Sequence, residues 1–198
     1  MKKSLILAMA ITSLLMSCGK KEEKQEEPKS GIETLQQFAD KAKEMQSREP
    51  VDPVDFRKLK ELLPEEIAGF KRTEASGEKE GAMGFTISRA EAKYKGSSDA
   101  TVDVEILDTG GIAGVATMAL AAWTMADIDK ETETGYEKTT KLEGYKAYEK
   151  YNSQDKSGEL NVLVADRYVV NVSGNNISVD ELKSILAELD LEKLGELK

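Results

Sequence analysis

The stretch Thr101-Val102-Asp103-Val104-Glu105-Ile106 decides the fold. Val102, Val104 and Ile106 alternate with Thr101, Asp103 and Glu105. Period two is the side-chain period of a strand, and apolar/polar alternation marks a strand with one buried face and one wet face. The pattern recurs downstream in Leu160, Val162 and Val164, then in Tyr168, Val170 and Val172, with Ala165-Asp166-Arg167 as a tight link between them. Tyr136 to Lys141 and Tyr145 to Tyr151 read as a hairpin around Leu142-Glu143-Gly144. Upstream, Phe85 and Ile87 hold one parity while Ala90, Ala92 and Tyr94 hold the other, which predicts a bulge near Ser88. Phe70 to Ala75 reads as a further strand, followed by a Gly-rich hairpin region at Gly77 to Gly84. Gly96-Ser97-Ser98-Asp99 and Gly174-Asn175-Asn176 are turns. All four prolines lie at or before Pro64, so the strand region is free of the residue that most disrupts sheets.

Helical spacing appears in four places. Ser30-Gly31-Ile32-Glu33 is a capping box ahead of Ile32, Leu35, Phe38, Ala42 and Met45. Asp52-Pro53 predicts a helix start, with Asp as the cap and Pro at the first position, before Phe56, Leu59, Leu62 and Leu63. Ile112 to Ala126 carries no charge and is too short for a ~30 Å hydrocarbon core. It predicts a helix packed on the sheet, with Trp123 buried against the sheet or under the first helix. Ser178-Val179-Asp180-Glu181 is a second capping box, leading Leu182, Ile185, Leu186 and Leu189. Adjacent strands on short links imply an antiparallel sheet of six to seven strands with helices on one face, an α+β domain over residues 31–198. The order of elements, with Leu63-Pro64 before Gly69-Phe70 and Gly158-Glu159-Leu160 leading to Arg167-Tyr168-Val169-Val170, resembles uncharacterised bacterial envelope proteins. In outline it is similar to PsbP-like domains and, less closely, to lipoprotein carriers. No shared motif goes with that outline, so no site residue is carried over.

The first eighteen residues have a different character. Met1-Lys2-Lys3 is basic, and Leu5 to Met16 is apolar apart from Thr12 and Ser13. A basic start, a short apolar core and a small residue before the cut form a secretory signal peptide over residues 1–17. Its end, Leu15-Met16-Ser17-Cys18, resembles the lipobox of bacterial lipoproteins, and Cys18 is the only cysteine. The resemblance implies that cleavage leaves Cys18 as the new N-terminus, carrying a diacylglycerol on its thiol. One acyl chain binds a membrane only marginally, at about 0.8 kcal/mol per buried methylene, whereas two or more hold firmly. Residues 18–30 are the lipidated cysteine and a charged tether with almost no apolar surface to bury. Fully extended from Gly19 to Ser30, it reaches about 40 Å. Lys21-Glu22-Glu23 resembles the acidic export signal that some Gram-negative bacteria place after the lipidated cysteine. The resemblance implies a cell-envelope location, at the outer membrane on its periplasmic or surface face.

Charge and composition narrow the function. Losing Lys2 and Lys3 with the leader takes the formal charge from −9 to −11. So acidic a chain has no means of neutralising phosphates, and no nucleic-acid partner is expected. The chain has no histidine. That excludes Ser-His-Asp and Cys-His catalysis and any His-ligated zinc. With Cys18 acylated, thiol chemistry and disulfides go as well. Catalysis, if any, would rest on carboxylates, lysines, tyrosines and hydroxyls.

Four constellations invite chemistry. Thr109-Gly110-Gly111-Ile112-Ala113-Gly114 follows a strand and opens a helix, as a dinucleotide fingerprint does, but Thr109 stands where the first glycine belongs. Gly110 and Gly111 read instead as a tight strand-to-helix turn, and no cofactor is expected. Asp127, Asp129 and Glu131 offer hard oxygen ligands at alternate positions. An EF-hand is excluded, since Thr132 and Lys138 stand where Gly and Glu are required, which leaves a looser calcium site or a solvated acidic link. Ser76-Gly77-Glu78-Lys79 and Ser153-Gln154-Asp155-Lys156 match Ser-x-x-Lys without the Lys-Thr-Gly that accompanies it in penicillin-binding enzymes. Tyr145 and Tyr151 share one strand face, with Tyr148 on the other, an arrangement for cross-strand packing or a ligand platform. The chain therefore reads as a lipid-anchored binding or accessory module, held to the membrane through its N-terminal lipid and working with an envelope protein partner. The alternatives are a lipophile carrier and a carboxylate-based hydrolase.

Overall fold

The structure is a computed structural model that describes residues 51–82, 85–110 and 122–198. The expected signal peptide and tether, Cys18, the helix expected from Ser30 and most of the stretch from Ile112 lie outside the described residues. The described elements run α1 (Phe56–Lys60), β1 (Glu66–Ile67), β2 (Phe70–Ala82), β3 (Phe85–Lys95), β4 (Thr101–Asp108), α2 (Ala122–Met125), β5 (Asp129–Thr132), β6 (Gly135–Leu142), β7 (Tyr145–Asn152), β8 (Ser157–Val164), β9 (Tyr168–Asn175), α3 (Val179–Ala187) and α4 (Leu191–Glu196).

The strands form one antiparallel sheet in the order β1-β2-β3-β4-β9-β8-β7-β6-β5. It has nine strands, not six to seven, and the helices among the described residues are few and short. The two strands beyond the expected set are β1, only two residues long, and β5, all four of whose residues are exposed. Neither carries the alternation that makes a strand readable. Two meanders build the sheet. β1 to β4 step inward from one edge, β5 to β9 step inward from the other, and they meet at the β4–β9 pair, where Val104 lies opposite Val172.

The alternation works as read. Val102, Val104, Ile106, Leu160, Val162, Val164, Val170 and Val172 are all buried on one face, with Ala90, Ala92, Tyr94 and Ala147 beside them. That face is covered by Leu59, Leu62 and Leu63 from α1 and its C-terminal turn, and by Leu182, Ile185, Leu186, Leu191 and Leu194 from α3 and α4. Full burial of each such side chain contributes about 1.5–3 kcal/mol. Gly158 and Gly174 lie opposite each other in β8 and β9 under α3. A Cβ on Gly158 would stand 2.8 Å from Leu182 Cδ1, and one on Gly174 would stand 3.2 Å from Leu182 Cδ2. The paired glycines are what let α3 settle onto the sheet.

Local signals fare unevenly. Ser178 caps α3 through the full box: its Oγ accepts from Glu181 N, and Glu181 Oε2 accepts from Ser178 N at 2.9 Å. Glu143 and Gly144, at φ 50° and 83°, make the two-residue turn between β6 and β7. The cap of α1, however, is Asp55 and not Asp52, with Asp55 Oδ1 accepting from Arg57 N at 2.8 Å. Pro53 and Val54 stay outside the helix because Val54 N donates to a buried carboxylate, Asp108. Gly77 does not turn the chain either. β2 runs straight through it to Ala82, and Gly77 is required because a Cβ there would stand 2.6 Å from Phe56 Cδ2. No bulge sits at Ser88, where the register is unbroken; the irregularity in β2–β3 lies between Arg72 and Glu74.

Helices do not keep to one face. Tyr148 alternates with buried Ala147 and Glu149, so it points to the far side of the sheet. The Trp123 ring of α2 lies 6.4 Å from the Tyr148 ring, which places Trp123 on that far face. Trp123 is buried against the sheet as expected.

Candidate functional site

Among the described residues two carboxylates are fully buried, Asp108 and Glu149, and neither was singled out by its sequence. Asp108 continues the inward parity of Val102, Val104 and Ile106, and Glu149 continues that of Tyr145 and Ala147. An acid on a buried parity is the signal that would have found both, since a buried charge must be paired.

Asp108 ends β4. Its Oδ1 accepts from Gly110 N at 2.8 Å and from Arg167 Nε at 2.8 Å. Its Oδ2 accepts from Val54 N at 2.8 Å and from Arg167 Nη2 at 2.7 Å. The guanidinium fork matches the carboxylate bidentately. Arg167 also lies over the Tyr168 ring, and its backbone carbonyl accepts from Thr109 Oγ1. The hydrogen bond to Asp108 raises the Arg167 pKa further. Gly110 takes φ +66°, and a Cβ there would stand 2.3 Å from Val51 O. At Gly110 the chain's own backbone lies close against the turn, and the rest of the glycine motif, from Gly111 to Gly114, lies outside the described residues.

Glu149 lies in β7 on the helix-covered face. The Tyr136 hydroxyl of β6 donates to its Oε1, and Lys138 Nζ lies 3.7 Å from the same oxygen. Oε2 accepts no hydrogen bond of good geometry and is met by Lys183 Nζ of α3 at 3.1 Å. Burial pushes the Glu149 pKa up, but the Tyr136 hydroxyl and the Lys183 ammonium outweigh it and hold the group below its ordinary 4.5. Burial and the bond to Glu149 push the Tyr136 hydroxyl well above its ordinary value. A carboxylate acting as general acid near neutrality needs its pKa raised. Glu149 moves the other way and stays ionised.

The remaining candidates disperse. Asp127, Asp129 and Glu131 are exposed, the latter two on edge strand β5 opposite Lys138 and Tyr136. No group of three acids converges as a metal site would require among the described residues. Ser76 and Lys79 lie on strand β2, and Ser153 and Lys156 both lie in the β7–β8 turn. Tyr145 and Tyr151 share the helix-covered face, where the Tyr151 ring lies 6.4 Å from Tyr136 and its hydroxyl donates to Ile177 O. Tyr145 packs against the core, and Tyr148 packs against Trp123 on the far face. On the far face, Lys150, Asn152, Ser157, Glu159, Ser173 and Asn175 line an open polar groove of about 210 Å3. No helix among the described residues is long and apolar enough to cross a membrane.

No known protein family, curated protein or solved structure matches this chain.

Proposed function

We propose that this is a lipid-anchored envelope lipoprotein whose folded part is a binding or accessory module. The observation that carries the module reading is that both buried carboxylates are occupied by the protein's own donors. All four hydrogen bonds at Asp108 come from the chain, and Glu149 is closed by one tyrosine and two lysines. An enzyme keeps polar groups convergent on an open site, and these converge on each other. A carrier of lipophiles between sheet and helices would need a cavity there. That space holds one continuous cluster of buried side chains from the sheet, α1, α3 and α4, which weighs against the carrier.

The anchor rests on the lipobox-like Leu15-Met16-Ser17-Cys18. With two or more chains on Cys18, the acidic domain is held at the envelope without basic contacts to lipid. Detergent phase partitioning of the wild-type chain and of Cys18→Ser tests this. The wild type is expected in the detergent phase and the variant in the aqueous phase. A variant that still partitions with detergent would contradict the anchor.

A further inference from the structure

The two edges of the sheet are finished differently. β5 ends one side with four residues. On the other side, β1 pairs only with Phe70 and Lys71 of the thirteen-residue β2, and Arg72 N donates to Glu65 O just beyond. From Glu74 to Ala82 no described residue pairs with the outer edge of β2. At about 3.3 Å per residue, that is roughly 30 Å of strand whose outward backbone donors and acceptors have no partner among the described residues. Natural edges are usually protected by proline, by a bulge, by short length or by charged side chains. This one has no proline, keeps an unbroken register with β3 from Glu74 to Ala82, and is long; what it carries is charge, on Glu74, Glu78, Lys79 and Glu80. Between those charged positions, Ala75, Ser76 and Gly81 add little bulk along the edge.

Charge selects the occupant. Glu74, Ser76, Glu78 and Glu80 share the far face of β2, because Ala75, Gly77 and Lys79 pair with the inward row Ala92, Ala90 and Ser88. Glu74 is bridged to Lys93 and Glu78 to Arg89, while Glu80 is exposed and has no side-chain partner among the described residues. A second copy of β2 fits badly. Antiparallel registers that keep the faces aligned set Glu74 against Glu80, Glu78 against itself, or Glu78 against Glu80, and like charges directly opposite are destabilising. We infer that the β2 edge from Glu74 to Ala82 accepts an extended segment of a partner protein as a tenth strand. The segment carries Lys or Arg at alternate positions, on the face of Glu78 and Glu80. Main-chain hydrogen bonds supply the affinity of such an addition, and alternate side chains supply its specificity. This deepens the binding-module reading and rests on it.

Site-specific photo-crosslinking in intact cells expressing the full chain tests the inference, with the crosslinker at Glu80 and, separately, at Ser173 in the far-face groove. The expected adduct forms at position 80 and maps to a segment of another protein with basic residues at every second position. A synthetic peptide of that segment should then slow amide exchange of residues 74–82 at least tenfold in the solubilised lipoprotein. An adduct between two copies, an adduct without basic alternation, no adduct at position 80, or a peptide that leaves those amides unprotected would overturn it. Capture at Ser173 alone would overturn the edge and leave the binding module standing.

Discussion

Asp108 and Glu149 are both sealed from solvent, but they join different things. Asp108 ties together parts of the chain that are distant in sequence: Val54 ahead of α1, the end of β4, and Arg167 in the β8–β9 link. Its donors are a largely buried guanidinium and two backbone N–H groups from separate parts of the chain. Glu149 joins neighbours, Tyr136 and Lys138 on the adjacent strand and Lys183 on the helix above. Those lysines keep 41% and 36% of their side chains exposed and can turn back to water. Equal burial of the acid therefore does not mean equal consequence, because what is stranded when the acid goes differs.

The largest effect should follow Asp108→Asn. It leaves the Arg167 guanidinium, whose side chain is only 14% exposed, without its counter-charge. Breaking a buried pair from one side costs about 3–5 kcal/mol, and urea unfolding followed by Trp123 fluorescence would read it. Glu149→Gln should cost less, about 1–2 kcal/mol, since only a charge-assisted hydrogen bond and two partly exposed ion pairs are lost.

Acid should separate the two variants further. The folded Glu149 pKa lies below its ordinary 4.5, so the unfolded chain binds that proton first as pH falls. Its contribution is full above about pH 4.5 and is lost as pH drops through the lowered folded value. Glu149→Gln should therefore flatten the acid limb of the stability curve measured from pH 6 to pH 2. An acid limb as steep as the wild type would show that Glu149 is not the group titrating. The smallest effect belongs to Ser178→Ala, which removes the cap of the helix that carries Lys183. It should cost about 1 kcal/mol in the same unfolding assay.

What could be read from sequence was whatever is periodic or local. Val102, Val104 and Ile106, the Glu143-Gly144 turn and the Ser178 box each declare themselves within a few residues. The misreadings occur where a distant partner overrides a local signal. Asp52-Pro53 looks like a helix start, but Asp108 takes the Val54 N–H and defers the helix to Asp55. Gly77 looks like a turn, but it is Phe56 that requires the missing side chain. Trp123 was expected to be buried and is, yet nothing in its own stretch says which face of the sheet it meets. Strand β5 is exposed on both sides and shows no alternation to read. Asp108 and Arg167 stand 59 residues apart, and only the meeting of the two meanders brings them together.

That meeting is tested most directly by a double-mutant cycle on Asp108 and Arg167, using Asp108→Asn, Arg167→Met and the double variant in urea unfolding. If the pair locks the two meanders at β4 and β9, each single variant strands the other partner. The double variant should then be less destabilised than the two singles combined, by at least about 1.5 kcal/mol. Additivity to within about 0.5 kcal/mol would contradict the lock and leave Asp108 as a local cap for Gly110 and Val54.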